Sequence, residues 1–317
     1  MDQSSRQQAR HYLNLNRILI TGGSGLLGLN WAAATRSEFE VHLGIHSRDV
    51  SFRGTVAIPL GIDTLDSALR SFDALQPDLV IHTAGLTSVE QCEANPNKAL
   101  YQNVTLAGNV AQACERLGIK LIHISSDHLF DGLYSFADEC AAPSPQNTYG
   151  KTKAEGELRV LDANSSTLVI RTNFFGWGTS YRSSFSDYIL KSLRAGRPIK
   201  LFEDVFYTPI LAESLAIAAS QLIKNKYSGV VNLVGDTRIS KFDFGVRLAE
   251  EFRLDKSLIC PVKFSSRPDL VRRPSDMSLS NKYATSQLGN PPSTLDSDIK
   301  RLRQQEEQGL AEELTAL

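Results

Sequence analysis

A parallel, doubly wound α/β sheet followed by a smaller mixed α/β region is the architecture this sequence predicts, on three observations. Short β-branched runs alternate with helix-length segments over the first half of the chain. The first of those runs, RILIT at 17–21, stops at the glycines of TGGSGLLG. After residue 173 the order loosens, and shorter strands and helices mix. Strand and helix in alternation make a parallel sheet, because each helix must cross back over the sheet before the next strand can pair.

Taken in order, a polar leader covers 1–16, and RILIT with the apolar GLLGLNWAAATR reads as strand, tight turn and helix. VHLGI (41–45) and TVAIPL (55–60) are the next strands, TLDSALRSFDAL a helix, and DLVIHT (78–83) the fourth strand. A long helix is expected from about Asn97 to Leu117, then the strand KLIHIS (120–125), a helix from Tyr149 to about Leu161, and the buried strand TLVIRT (167–172). The first unit is therefore 17–173. Residues 174–292 are expected to form the cap, with helices near 183–195, 212–224 and 242–252, and with strands such as GVVNLV free to return to the main sheet. Residues 293–317 are charged but place Leu295, Ile299, Leu302 and Leu310 at apolar positions, with Asp296 or Ser297 as cap. They read as a docked or partly frayed terminal helix.

Composition narrows the function. The chain has 317 residues, 42% hydrophobic and 22% charged, which fits a globular protein of about two structural units. With 34 Lys and Arg against 35 Asp and Glu, the net charge of -1 offers no general attraction for nucleic acid or an anionic membrane. Cys92, Cys114, Cys140 and Cys260 are scattered, with no CxxC pair, so a metal site is not expected and they read as core thiols of a reducing compartment. No secretory segment or bilayer-spanning run is visible, so the expected location is cytoplasmic.

Three constellations carry chemistry. In TGGSGLLG, Gly22, Gly25 and Gly28 recur every three residues, and Gly23, Gly25 and Gly28 also satisfy GxGxxG. Between a strand and a helix, such glycines let a pyrophosphate approach the helix's free N–H groups. The cofactor turn is thus Gly22, Gly23, Ser24, Gly25, Leu26, Leu27 and Gly28. The second strand ends in HLGIHSRDV without an acid near His46; Ser47 and Arg48 follow, and an Arg there accepts a 2'-phosphate. NADP(H) is the expected cofactor, with NAD(H) the alternative. Asp63, followed by Thr64, is a candidate to contact the adenine, and Thr83, Ala84 and Gly85 of HTAG would run beneath the cofactor.

The second constellation is Tyr149 and Lys153, four residues apart and so on one helix face. A solvated tyrosine loses its proton only at about pH 10, so one that transfers protons at neutral pH needs a neighbouring cation. The third is SSDHLFDG, where a strand runs out into Ser125, Ser126 and Asp127; a hydroxyl at that edge can hydrogen-bond a substrate carbonyl oxygen.

Together these residues resemble the extended short-chain dehydrogenase/reductase superfamily of Rossmann fold, with its TGxxGxxG, strand-end Ser or Thr, and YxxxK. SSDHLFDG, PSPQNTYGKTKAEGE, RTNFFGWG and LTSVEQCEANPNKALYQNV are further similar to the dTDP-4-dehydrorhamnose reductase branch, from about Arg17 to Arg171. EDVFYTPILAESLA and VRRPSDMSLSNKYA extend the likeness into the cap. The chain departs from that pattern at Val205 and Tyr207, where the branch has Gln and Gly, and at Ser278 where many members have Arg. His128 stands in place of Tyr and Phe174 in place of Trp.

The resemblance implies that Tyr149 is the general acid, that Lys153 holds the nicotinamide ribose and lowers the tyrosine pKa, and that Ser126 orients the ketone. Asn103 joins the cofactor site and supports it by hydrogen bonding. Asp127, His128, Asn173, Phe174, Asp204 and Arg273 are the implied substrate contacts, Arg273 toward a diphosphate, and Val205 and Tyr207 fall where the nucleotide is placed. The implied activity is NAD(P)H-dependent reduction of a nucleotide-linked 4-keto-6-deoxy sugar by a homodimer formed through the helices beginning near Asn97 and Tyr149. The alternatives are a sugar-nucleotide epimerase or dehydratase, which needs an added acid and base that the residues beside Ser126 do not offer, and a non-catalytic cofactor-binding regulatory subunit.

Overall fold

The computed structural model describes residues 15–317; of the leader expected at 1–16, residues 1–14 lie outside the described ones. β1 (Arg17–Thr21) leads into α1 (Leu26–Thr35), followed by β2 (Glu40–Ile45), β3 (Thr55–Pro59), α2 (Leu65–Leu75) and β4 (Leu79–His82). Then come α3 (Val89–Ala94), α4 (Pro96–Leu100), α5 (Leu106–Leu117), β5 (Lys120–Ile124), α6 (Thr148–Ala163) and β6 (Leu168–Arg171). The second half holds β7 (Phe174–Phe175), α7 (Phe185–Arg194), β8 (Ile199–Phe202), β9 (Phe206–Tyr207), β10 (Ile210–Leu211), α8 (Ala212–Lys224) and β11 (Gly229–Asn232). It ends with β12 (Ile239–Ser240), α9 (Lys241–Glu251), β13 (Ile259–Val262), α10 (Lys282–Leu288), α11 (Leu295–Glu307) and α12 (Leu310–Thr315).

Seven parallel strands stand in the order β11-β6-β5-β4-β1-β2-β3, so the winding reverses between β1 and β4. This is the Rossmann arrangement, in which ligands bind outside the carboxyl ends of the strands at the reversal. Register keeps those ends level, with Thr21 opposite Gly44 on one side and His82 on the other. The central strands are largely buried apolar runs because helices cover both faces, while the edge strand β3 is partly exposed. α1 is buried nearly all round, at Leu27, Leu29, Trp31 and Ala32, since α8 packs on the side away from the sheet.

The sheet does not close at residue 173. β11, drawn from the expected cap region, pairs with β6 from Gly229↔Leu168 to Asn232↔Arg171. Asn30 of α1 joins the halves: its Nδ2 donates to Trp177 O at 2.7 Å and its Oδ1 accepts from Trp177 N at 3.1 Å. One apolar cluster runs through both, from Ile18 to Leu314.

Three local expectations are corrected. The long helix from Asn97 is interrupted by a π turn at Tyr101–Thr105, where one residue too many for α geometry swings Asn103 inward. The terminal helix is capped by Thr294, whose side chain accepts from Ser297 N, because Asp296 lies inside the first turn. It is docked, not frayed: buried Asp298 accepts from Leu211 N at 2.7 Å and Ser214 Oγ at 2.6 Å. Of the four thiols only Cys92 and Cys114 are buried, while Cys140 and Cys260 are exposed because both fall in solvent-facing stretches. No helix among the described residues is long and apolar enough to cross a membrane, and no described His, Cys, Asp and Glu group together as metal ligands would.

Candidate active site

A groove of about 660 Å³ opens at the strand reversal. Gly22, Ser24, Gly25, Leu26 and Leu27 form one wall. Gly22 adopts φ +67°, and a Cβ there would stand 2.8 Å from the Ala84 backbone, so the turn needs glycine at that position. Gly23 and Gly28 serve packing instead of the groove wall. A Cβ at Gly23 would meet Leu43 at 2.7 Å and one at Gly28 would meet Gly22 O at 2.8 Å. Thr83, Ala84 and Gly85 line the floor between the walls.

At the far end, Ser47, Arg48 and Asp63 line the groove. The Arg48 guanidinium lies 4.0 Å from the centroid of the Tyr181 ring, and Tyr181 Oη donates to Ser24 O at 2.8 Å. This stack holds an otherwise exposed arginine beside the glycine turn. Tyr181 was missed because its segment carries no motif, and so was Tyr101, whose Oη donates to Asp63 Oδ1 at 3.1 Å. Thr64 is not part of the wall; it caps α2 in a reciprocal box with Ser67. Asn103 is a brace instead of a wall. Its Oδ1 accepts from Leu86 N at 2.8 Å, and its Nδ2 donates to Leu86 O and to Thr152 Oγ1, each at 3.0 Å.

Tyr149 and Lys153 enter the groove from the first turns of α6, which Asn147 caps through Gly150 N at 2.9 Å. Burial raises the Tyr149 pKa, and a hydrogen bond with Ser126 is the largest opposing influence. Lys153 Nζ donates to Ile124 O at 2.7 Å, which anchors the ammonium at the end of β5. Burial pulls Lys153 itself down to about 8, against the upward pull of Glu157. Beneath it His82 and His123 stack at 5.4 Å, and burial, then Lys153, holds His82 near 3, so both rings stay uncharged. Lys153 is therefore charged below about pH 8 and neutral above it, and NADPH affinity is expected to be full below that value and to fall as pH rises through it. Titration of NADPH fluorescence across that range, from neutral to alkaline pH, checks this, and a flat profile would remove the ammonium from cofactor binding.

The implied substrate contacts divide. Asn173 donates to Asp127, which also accepts from Ser126 Oγ at 3.3 Å. His128 packs edge-on to Tyr149 at 5.3 Å, and Phe174 lines the groove. Arg273 is half-buried and ion-paired with Glu90. Asp204 is committed elsewhere, accepting from Phe264 N at 2.8 Å to fix a turn. Val205 and Tyr207 are each 2% exposed, so the expected nucleotide contact is corrected: both belong to the core, where Tyr207 packs edge-on to Phe244.

A Rossmann sheet with a glycine turn at its reversal and a Tyr and Lys one helical turn apart at the same edge is the build of the nicotinamide-dependent short-chain dehydrogenases and reductases, and this protein is an oxidoreductase of that class. More particularly, residues 16–307 match the RmlD substrate binding domain, and the chain belongs to that family. It is 31% identical, over 89% of its length and 96% of the relative's, to the probable low-salt glycan biosynthesis reductase Agl14 of Haloferax volcanii. It is 28% identical to methionine adenosyltransferase 2 subunit beta of Rattus norvegicus, over 78% of this chain and 75% of that one. Its fold superposes with a TM-score of 0.81 on a dTDP-4-dehydrorhamnose reductase from Bacillus anthracis solved in complex with NADP, at 22% identity over 92% and 99% of the two chains.

Proposed function

We propose that this protein reduces the C4 ketone of a nucleotide-linked 4-keto-6-deoxy sugar with NADPH, with dTDP-4-dehydrorhamnose the first substrate to test. The observation that carries the reading is Tyr149, next to Ser126 and with Lys153 in the wall of the groove that the glycine turn also lines. Bound in the groove, the nicotinamide supplies the hydride. The chain supplies the rest: Ser126 orients the ketone oxygen, Tyr149 Oη gives it a proton as charge develops there, and Lys153 holds the ribose. The glycine turn fits a pyrophosphate because Gly22 and Gly25 leave no side chain over the free N–H groups ahead of α1.

Arg48 supports NADPH over NADH. Arg48→Ala is expected to weaken NADPH binding by about 1.5 kcal/mol, the lower end for a charge-assisted hydrogen bond because the side chain is exposed, and to leave NADH binding unchanged. Equal losses for both cofactors, or none, would end the phosphate role.

The central experiment follows the loss of NADPH absorbance with 4-keto-6-deoxy sugars on dTDP, UDP, GDP and CDP. Turnover with one of them supports the reductase. NADPH binding without turnover of any favours the regulatory-subunit reading, which the likeness to the methionine adenosyltransferase subunit keeps in view. A cytoplasmic location and a homodimer through α5 and α6 belong to the same proposal; α6 presents Leu158, 71% exposed, on its outer face.

A further inference from the structure

Lys241 opens α9 in a stretch that no sequence motif marks. Its ammonium lies 3.1 Å from the centroid of the Tyr207 ring and 5.1 Å from that of Phe185. Among the described residues no carboxylate forms an ion pair with it and its ammonium makes no hydrogen bond to the protein; its backbone N–H donates to Val205 O. Lys241 is nevertheless half-buried, and burial brings its pKa down to about 7, with Asp127 pulling up and Arg273 pulling down. A desolvated ammonium resting on aromatic faces gains most from an anionic oxygen.

Its neighbours say where that oxygen would lie. Asp127, Arg273, Lys241 and Glu90 all act on the half-buried His128, whose ring abuts Tyr149. Asp127 is engaged by Ser126 and Asn173, and Arg273 by Glu90, which leaves Lys241 as the cation of this group without a counter-charge. Asp127 acts on both the Tyr149 phenol and Lys241. Lys241 therefore shares Asp127 as a neighbour with the phenol that meets the sugar ketone. A nucleotide-linked sugar carries its diphosphate on the side of the ring away from C4, and a doubly charged group there would offset the repulsion that Arg273 exerts on the Lys241 ammonium.

We propose that Lys241 is a substrate-binding residue whose ammonium, with Arg273, contacts the diphosphate of the nucleotide-linked sugar. This rests on the sugar-nucleotide reading above. In this chain the cation then comes from α9, over the face of Tyr207, a residue that stands where the branch pattern carries glycine.

The test uses NADPH-loaded enzyme titrated calorimetrically with dTDP, UDP, GDP and CDP. For the nucleotide that wild type binds best, Lys241→Met and Lys241→Gln are expected to weaken binding about 10-fold or more, the effect of losing one charge-assisted hydrogen bond. Lys241→Arg is expected to stay within about 3-fold, since it keeps the charge. NADPH affinity, measured in parallel, reports that each variant is folded. Unchanged nucleoside diphosphate affinity in both neutral variants overturns the proposal, and if KM for the whole sugar nucleotide still rises, Lys241 reads a sugar hydroxyl instead. A Lys241→Arg loss as large as that of the neutral variants also overturns it, because charge would then not be what binds. Wild type that binds none of the four nucleotides refutes the sugar-nucleotide reading itself.

Discussion

Tyr149→Phe is expected to lower kcat by about 10² to 10⁴ fold, the range for a positioned general acid, while NADPH affinity and stability stay near wild type. The ring packs with Leu86, Val89, Cys92 and Ala99 and meets His128 edge-on, contacts that phenylalanine keeps. Only the hydroxyl is lost. Burial raises the phenol's pKa, so at neutral pH it is protonated, which is the state a ketone reductase needs at the start of turnover. In the proposed reaction Ser126 then has two tasks, to orient the ketone and, through its hydrogen bond, to ease loss of the phenolic proton. Stopped-flow NADPH oxidation separates the proton-dependent chemical step from cofactor binding. Turnover by the Phe variant at the wild-type rate would end the proton-donor assignment.

What could be read from the sequence was what has a local cause. RILIT before TGGSGLLG announces strand, turn and helix because glycine spacing and hydrophobic runs act over a few residues, and the Rossmann sheet follows from repetition of that unit. Ser126, Tyr149 and Lys153 stand out in the sequence because the first ends a strand and the other two lie one helical turn apart, and the structure keeps Tyr149 and Lys153 on the groove. Long-range placement was not legible. Nothing in GVVNLV says that its first four residues pair with LVIR, and nothing in SYRSS says that Tyr181 stacks on Arg48. Val205 and Tyr207 show the limit of reading a role by alignment of motifs. Replacing Gly by Tyr at 207 added a ring that folded into the core against Phe244, where it faces Lys241 instead of a nucleotide. Asp204 failed for the same reason, its carboxylate being taken by a backbone N–H 60 residues away.

Glu157→Ala is expected to cost about 3 to 5 kcal/mol of stability, the range for breaking a buried ion pair from one side. Glu157, on the α6 turn after Lys153, receives Arg171 through Nε at 3.0 and 3.2 Å and Nη2 at 2.8 Å, and both side chains are 5% exposed. Removing the carboxylate strands a guanidinium at the end of β6, between β5 and β11, with no solvent to receive it. Arg171→Met with Glu157→Leu is expected to recover most of the loss, because neither charge is then buried alone. Urea denaturation of the two single variants and the double variant measures this, and additive losses would show that the residues do not act as a pair. The pair also reaches the chemistry. Glu157 is the group that raises the Lys153 pKa most, against burial. Glu157→Gln removes that support, so Lys153 loses its proton at a lower pH, and the alkaline fall in NADPH affinity should move below about pH 8. An unmoved profile in a folded Glu157→Gln protein would confine the pair to holding β6 against α6, and Lys153 would then keep its charge without Glu157.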